Sequence, residues 1–455
     1  MTTPLLRCDA LWSRQGDQLI AGSPARFFRL TENGVEAAKA LETGASTAPK
    51  HAPLADRLIA AGALHPYRAA LADPSQITVV IPAYLAEAHQ RKQLRELISG
   101  LEGLSVIIID DASPSAIELM DAKVVRLDTN SGPAAARNRG LELASTPLVA
   151  FVDCDVHITR DDICKLAAQI DDQTKIVAPR IVASKRRSLL AQYERNSAPL
   201  DMGQQPAKVT HDSRVSYLAS AVLVCDTATL RDAGGFDVTL RCGEDVDLVW
   251  RLLNNEITVR YEPSINCQHD TRRGLVPFLR QRFNYGSSSV DLESRHPGRL
   301  SPLRSRPTSV ATWLLLGIGL HVIALAFLLL DFAFMSLQFR ERNISTRLML
   351  KMFGKNFLNT GQHFADAIVK VWWPVIVVTA TLSDAVSSLL ALCIVIPGLI
   401  AYARRPTLDP FSFLFLRTLE KFAYGAGVWV KGFSVHNLNA LRPRFLSMSN
   451  SSVSG

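Results

Sequence analysis

Between residues 76 and 270, short apolar runs rich in Val and Ile alternate with longer amphipathic stretches. The runs at 77–81, 106–109, 123–127, 148–152, 176–178, 217–225 and 258–261 read as strands. Runs so short and so continuously apolar suit a sheet covered on both faces. Their alternation with helical stretches predicts an α/β domain over 76–300, with a mostly parallel, Rossmann-like, doubly wound sheet and right-handed crossovers.

The pattern differs on either side. Residues 1–75 read as a small separate module. Leu11 to Gly22 alternates like a hairpin turning at Gly16-Asp17. Helices are expected from Thr31, a natural N-cap, to Glu42 and from Leu54 to Ala61, where Gly62 ends the second. His65-Pro66 then opens a linker to Pro74. The set is winged-helix-like, similar in pattern to peptide-recognition modules, and a structural cap on the next domain is the plain alternative. Residues 301–455 carry long apolar runs, 311–330 and 371–403, each long enough to span a bilayer. Basic residues flank both, from Arg295, Arg299, Arg304 and Arg306 through Arg340, Arg342, Arg347, Lys351 and Lys355 to Arg404 and Arg405. A single crossing would place the middle cluster outside, against the positive-inside tendency. Hairpins, re-entrant or interfacial helices at an anionic membrane surface fit better, with soluble helices burying one another as the alternative.

Candidate chemistry gathers where strands end. The run 148–152 stops at Asp153-Cys154-Asp155, whose carboxylates share one face of an extended chain. Two like charges at a carboxyl strand end call for a cation, unless they are solvated or cap a helix. Three more strand ends carry Pro82-Ala83-Tyr84, Asp110-Asp111-Ala112-Ser113 and Asn130-Ser131-Gly132, the last opening a helix that bears Arg137. Further on stand Gly234-Gly235-Phe236-Asp237, Glu244-Asp245 in the first turn of a helix with Leu248, Val249, Leu252 and Leu253 on its core face, and Gln268-His269-Asp270 after the last strand. Helix capping explains Glu244 and Asp245 equally well. Gly-x-Gly-x-x-Gly is absent after the first strand, which argues against a dinucleotide dehydrogenase.

Taken in order, Pro82-Ala83-Tyr84, Asp110-Asp111-x-Ser113, Gly132-Pro133-x-x-x-Arg137-Asn138, Asp153-x-Asp155, Gly235-Phe236-Asp237, Glu244-Asp245 and His269 resemble the inverting family 2 glycosyltransferases of GT-A fold. The stretches 197–203, 241–252, 282–286 and 295–302 look like the branch acting in maturation of mycofactocin, a peptide-derived redox cofactor. The resemblance implies a nucleotide-sugar donor, UDP-glucose, and a β-linked glucose oligomer built on a hydroxyl of that peptide-derived acceptor. It implies Pro82, Ala83, Tyr84 and Asp111 on the nucleotide side, with Gly132, Arg137, Asp153 and Glu244 toward the rest of the donor. Asp155 and His269 would hold Mg²⁺ or Mn²⁺, and Asp245 would be the general base. The chain departs from the processive synthases, whose Gln-x-x-Arg-Trp is replaced by Arg280-Gln281-Arg282-Phe283. A catalytically silent peptide-binding adaptor would have no reason to keep Asp153, Asp155, Asp245 and His269 together. An envelope glycan or lipid acceptor stays open.

Charge and cysteines narrow the setting. The net charge of +8 fits sugar-nucleotide phosphates and a membrane surface, and no nucleic-acid-binding motif accompanies it. The seven cysteines form no C-x-x-C pair, which suits a reducing cytosol. With no apolar leader core at the N-terminus, the expected place is the cytoplasmic face of the cell membrane.

Overall fold

The computed structural model describes residues 4–44, 51–119, 122–184, 188–270, 274–339, 346–404 and 408–445. These fall into two compact units, one taking residues up to 184 and from 197 to 270, the other 188–196 and 274 onward. The N-terminal module shares the first unit with the sheet, and the second unit resumes at residue 274.

In the module, β1 (Leu5–Cys8) pairs antiparallel with β5 (Leu64–Tyr67), while β2 (Ser13–Gln15), β3 (Gln18–Ala21) and β4 (Arg26–Arg29) form a three-stranded sheet. Helices α1 (Glu32–Glu42) and α2 (Ala52–Ala60) cover a core of Leu19, Leu41, Leu58 and Leu64. Thr31 caps α1 by accepting from the Gly34 amide, and Gly62 follows α2 at φ +69°, both as the sequence predicts. His65-Pro66 is strand rather than linker, because Pro66 sits on β5 opposite Leu6, at the edge of a two-stranded ribbon where a missing N–H is tolerated. Side chains tie the module to the sheet: Arg7 pairs with Glu262, and Arg68 lies 2.5 Å from Asp171.

The central sheet comprises β6 (Ile77–Ala83), β7 (Ser105–Asp110), β8 (Lys123–Arg126), β9 (Leu148–Val152), β10 (Val156–His157), β11 (Thr174–Ala183), β12 (Ala207–Lys208), β13 (Val222–Asp226) and β14 (Thr258–His269). Its order is β8-β7-β6-β9-β13-β11-β14-β10, with β12 also on β14. The first four strands run parallel, as do β11 and β14, whereas β13 lies antiparallel between β9 and β11. The strand expected at 217–225 starts only at Val222. Helices α3 (Ala88–Gly100), α4 (Pro133–Leu143), α5 (Arg160–Ala167), α7 (Thr227–Asp232) and α8 (Glu244–Asn254) flank the sheet, while α6 (Leu189–Ser197) goes with the second unit. On α8, Trp250 joins Leu248, Val249 and Leu252 in the core, and Leu253 is only half-buried. Gly140 lets α4 lie directly on β6, since a Cβ there would stand 2.1 Å from Val80.

The second unit is helical: α9 (Leu275–Arg295), α10 (Pro307–Gly317), α11 (His321–Phe339), α12 (Thr346–Ala367), α13 (Trp373–Ala380), α14 (Asp384–Arg404) and α15 (Pro410–Ser434). α9 belongs here because it packs backbone to backbone on α15. A Cβ at Gly286 would fall 1.9 Å from the Tyr424 carbonyl oxygen, and one at Gly427 2.0 Å from that of Phe283. The buried Arg282 guanidinium fastens the pair, lying 2.9 Å from Glu194 and 2.8 Å from Glu420.

Neither apolar run is one continuous helix. Gly319, at φ +84°, divides 311–330 between α10 and α11, and the buried Asp331 of α11 accepts from the hydroxyls of Thr308 and Ser309. The run 371–403 divides after Ala380. Two helices, Met349–Ala380 and Asp384–Arg404, are long and apolar enough to cross a bilayer, and only 17% of the most apolar stretch of the latter is buried. Those exposed faces make the C-terminal region a candidate for membrane association. Arg340, Arg342 and Arg405 lie outside the described residues.

Candidate active site

The site lies along the carboxyl ends of β6, β7, β9 and β14. At the end of β6, Ala83 is buried and its carbonyl accepts from the Asp111 amide at 2.8 Å, while Tyr84 is exposed. Asp110, fully buried, accepts from the Ser113 amide at 2.9 Å and from Arg126 at 2.6 Å. Burial opposes its charge, but these bonds hold its pKa below the ordinary carboxylate value. Asp110 thus shapes the turn.

The Asp111 carboxylate takes the amides of Ser131 and Gly132 at 2.7 and 2.8 Å, clasping the loop that opens α4. Gly132 sits at φ +91°, where a Cβ is strained. Arg241, exposed, lies across this loop and reaches Asn130 Oδ1 at 3.3 Å.

Arg137 is the hub. Its Nη2 lies 2.7 Å from Asp153 Oδ1 and its Nη1 2.7 Å from Glu244 Oε1, with the side chain 3% exposed. Burial works against its charge, yet the two carboxylates raise its pKa above the ordinary arginine value. The sequence placed Arg137 at the diphosphate. In the structure both its terminal nitrogens pair with carboxylates and the side chain is enclosed. Burial raises the pKa of Asp153, Arg137 opposes this, and the charge of Asp155 reinforces it.

Phe236 locks the neighbouring loop. Asn138 bonds both its amide and its carbonyl, at 2.8 and 2.7 Å, and its ring meets Phe151 edge-on at 5.2 Å. Arg251 adds bonds of 2.6 Å to the carbonyls of Ala233 and Gly235. The loop ends at Gly243, left-handed at φ +83°, which starts α8 with Glu244 and Asp245. Asp245 is half-buried and accepts from the Ser220 and Val246 amides at 3.2 and 2.8 Å. Burial first, and then the charge of Glu244, push its pKa up to about 7.

The chain turns at Asp153, and β10 returns antiparallel to the end of β14 with Val156 opposite His269. That register brings His269 Nε2 to 3.4 Å from Asp155 Oδ1. Among the described residues no three carboxylate, imidazole or thiol side chains form a ready-made metal cage. A carboxylate beside an imidazole nevertheless suits a hard divalent ion that takes its remaining ligands from a substrate's phosphates and water. Sequence reasoning missed Asn138, Arg251 and Ser220 as supports, since only packing reveals their partners.

Residues 78–225 match the family model for glycosyl transferase family 2. A pre-mycofactocin glycosyltransferase of Mycobacterium tuberculosis is 33% identical over 452 residues, spanning 94% of either chain. The chain belongs to glycosyltransferase family 2. An uncharacterised glycosyltransferase of Haemophilus influenzae is 32% identical over 20% of this chain and 40% of its own. Among solved structures, the mannosyltransferase PcManGT of Pyrobaculum calidifontis, in complex with GDP-Man and Mn²⁺, covers 85% of this chain and 94% of its own at 16% identity and a TM-score of 0.45. In this transferase Arg137 and Asp153 fall inside the matched region, and Glu244, which pairs with Arg137, follows it.

Proposed function

We propose that this transferase moves glucose from UDP-glucose to a hydroxyl of a peptide-derived redox cofactor precursor, with inversion, and repeats the step to build a β-linked oligosaccharide. The acceptor class follows the pre-mycofactocin transferases that resemble the chain over 94% of its length. The observation that carries the chemistry is Asp245, a carboxylate raised to about 7 at the start of α8, beside a carboxylate fixed by Arg137. A base with a pKa near the working pH can take a proton in the transition state and still be ionised beforehand.

In the step proposed, the acceptor oxygen bonds to the anomeric carbon from the face opposite the diphosphate. Its proton passes to Asp245. The carbon–oxygen bond to the diphosphate breaks, and its electron pair leaves with the nucleoside diphosphate. Asp155 and His269 would hold Mg²⁺ or Mn²⁺, which supplies positive charge to the diphosphate when bound. Asp111 keeps the loop at Gly132 shaped beside the base, with Pro82, Ala83 and Tyr84 on its nucleotide side. Arg137 keeps Asp153 and Glu244 in place.

The N-terminal module is read as the part that recognises the peptide-derived acceptor, and the apolar helices as holding the enzyme at the cytoplasmic face of an anionic membrane. Incubating the purified protein with UDP-glucose, Mn²⁺ and the peptide-derived acceptor, then reading product masses and the anomeric coupling constant, tests the proposal. Successive additions of 162 Da with β couplings are expected (the mass of one hexose residue, about 162 Da, follows from condensation with loss of water). Donor hydrolysis without acceptor glycosylation would overturn the acceptor assignment.

A further inference from the structure

We infer that Arg241 is the cation that faces the donor's phosphates and stabilises the departing diphosphate, a role resting on the sugar-nucleotide reading above. The site has an unbalanced charge. Asp111, Asp153, Asp155, Glu244 and Asp245 all belong to the site described above, and the donor read for it is itself anionic. Arg137 does not offset that substrate, because Asp153 and Glu244 already occupy it inside the protein.

Arg241 differs in each respect. It is exposed, and among the described residues it has no carboxylate partner. Its one polar contact is the neutral Asn130 amide oxygen at 3.3 Å, which orients a guanidinium without cancelling its charge. Its stem crosses Gly132, where a Cβ would lie 3.8 Å from the Arg241 Cδ and 3.9 Å from Nη1. Gly132 and Ser131 are the residues whose amides Asp111 clasps, and Glu244 and Asp245 follow Arg241 by three and four positions. The guanidinium therefore bridges the nucleotide-side loop and the start of the helix carrying the base. A planar fork of N–H donors suits two phosphate oxygens better than a point charge does. When the bond from the anomeric carbon to the diphosphate breaks, the electron pair remains on phosphate oxygen, and a fixed guanidinium stabilises the charge that develops.

The test is titration calorimetry of the full chain in detergent with UDP and with uridine, without added metal and again with Mn²⁺. Wild type, Arg241→Ala and Arg241→Gln are compared. Gln retains a hydrogen-bonding side chain at Asn130 without the charge, so it decides the matter if the Ala variant does not fold. Both variants are expected to bind UDP about tenfold or more weakly with and without metal, the loss of a charge-assisted phosphate contact, and to bind uridine as wild type does. UDP affinity unchanged in Arg241→Gln, or an equal loss for uridine, overturns the inference. A wild type that binds no UDP overturns the donor reading on which it stands.

Discussion

Arg137 Nη1, on the helix that opens at Gly132, lies 2.7 Å from Glu244 Oε1 in the first turn of α8, 107 residues further along the chain. The same guanidinium holds Asp153 at the end of β9, so one buried cation fixes three elements of the site.

Arg137→Ala should therefore destabilise the sheet unit as well as the site. It leaves Glu244 and Asp153 without their counter-charge, and breaking such a buried arrangement costs about 3–5 kcal/mol. Denaturant unfolding should show a lower midpoint, with Arg137→Lys intermediate because a single ammonium cannot bridge both carboxylates in the guanidinium's geometry. A midpoint unchanged in Arg137→Ala would contradict the hub role.

Asp245→Asn should leave UDP affinity within about twofold and lower kcat by about 10²-fold or more, the signature of a base acting in the transition state. In the wild type, kcat/KM for the acceptor should fall about tenfold per pH unit below about 7, as the base becomes protonated. Stability runs the other way. A carboxylate raised in the folded state contributes stability that is full below its ordinary value and lost as pH rises through about 7. Asp245→Asn should accordingly unfold at a higher temperature than wild type at pH 8, with the difference shrinking toward pH 4. A pH profile in Asp245→Asn identical to that of wild type would remove Asp245 as the base.

Asp155→Asn and His269→Ala should each shift the Mn²⁺ concentration for half-maximal activity upward by about tenfold or more, as expected when a ligand is lost. Activation at the wild-type Mn²⁺ concentration in both variants would take the ion away from the end of β14.

The apolar surface of α14 predicts behaviour in the cell. Leu392, Val395, Ile396, Leu399 and Ile400 are all exposed. Burying such surface favours the bilayer by about 25 cal/mol per Å², and nearby Lys and Arg add about 1 kcal/mol each at an anionic leaflet. The protein should sediment with membranes, leave them partly in high salt and fully in detergent. A monodisperse soluble protein without detergent would instead point to helices covered by another protein surface.

The sequence by itself located seven strands of the central sheet, though not β10 or β12, because continuous Val and Ile runs bury well only in a doubly covered sheet, and β9 matches residues 148–152 to the residue. It determined the helix caps at Thr31 and Gly62 as well, since capping is local chemistry. It also placed the polar rim, because ligands of such sheets sit beyond the carboxyl strand ends. Tertiary structure alone decided how those groups are used. The pairing of Arg137 with Asp153 and Glu244 exists only once β9 and α8 close on it. Asp155 and His269, 114 positions apart, meet only through the register of β10 on β14. The grouping of α9 with the C-terminal helices depends on Gly286 and Gly427 admitting a close backbone approach. Local pattern carries propensity and period, while ion pairing, register and helix contact depend on residues far apart in sequence, and so only the folded chain specifies them.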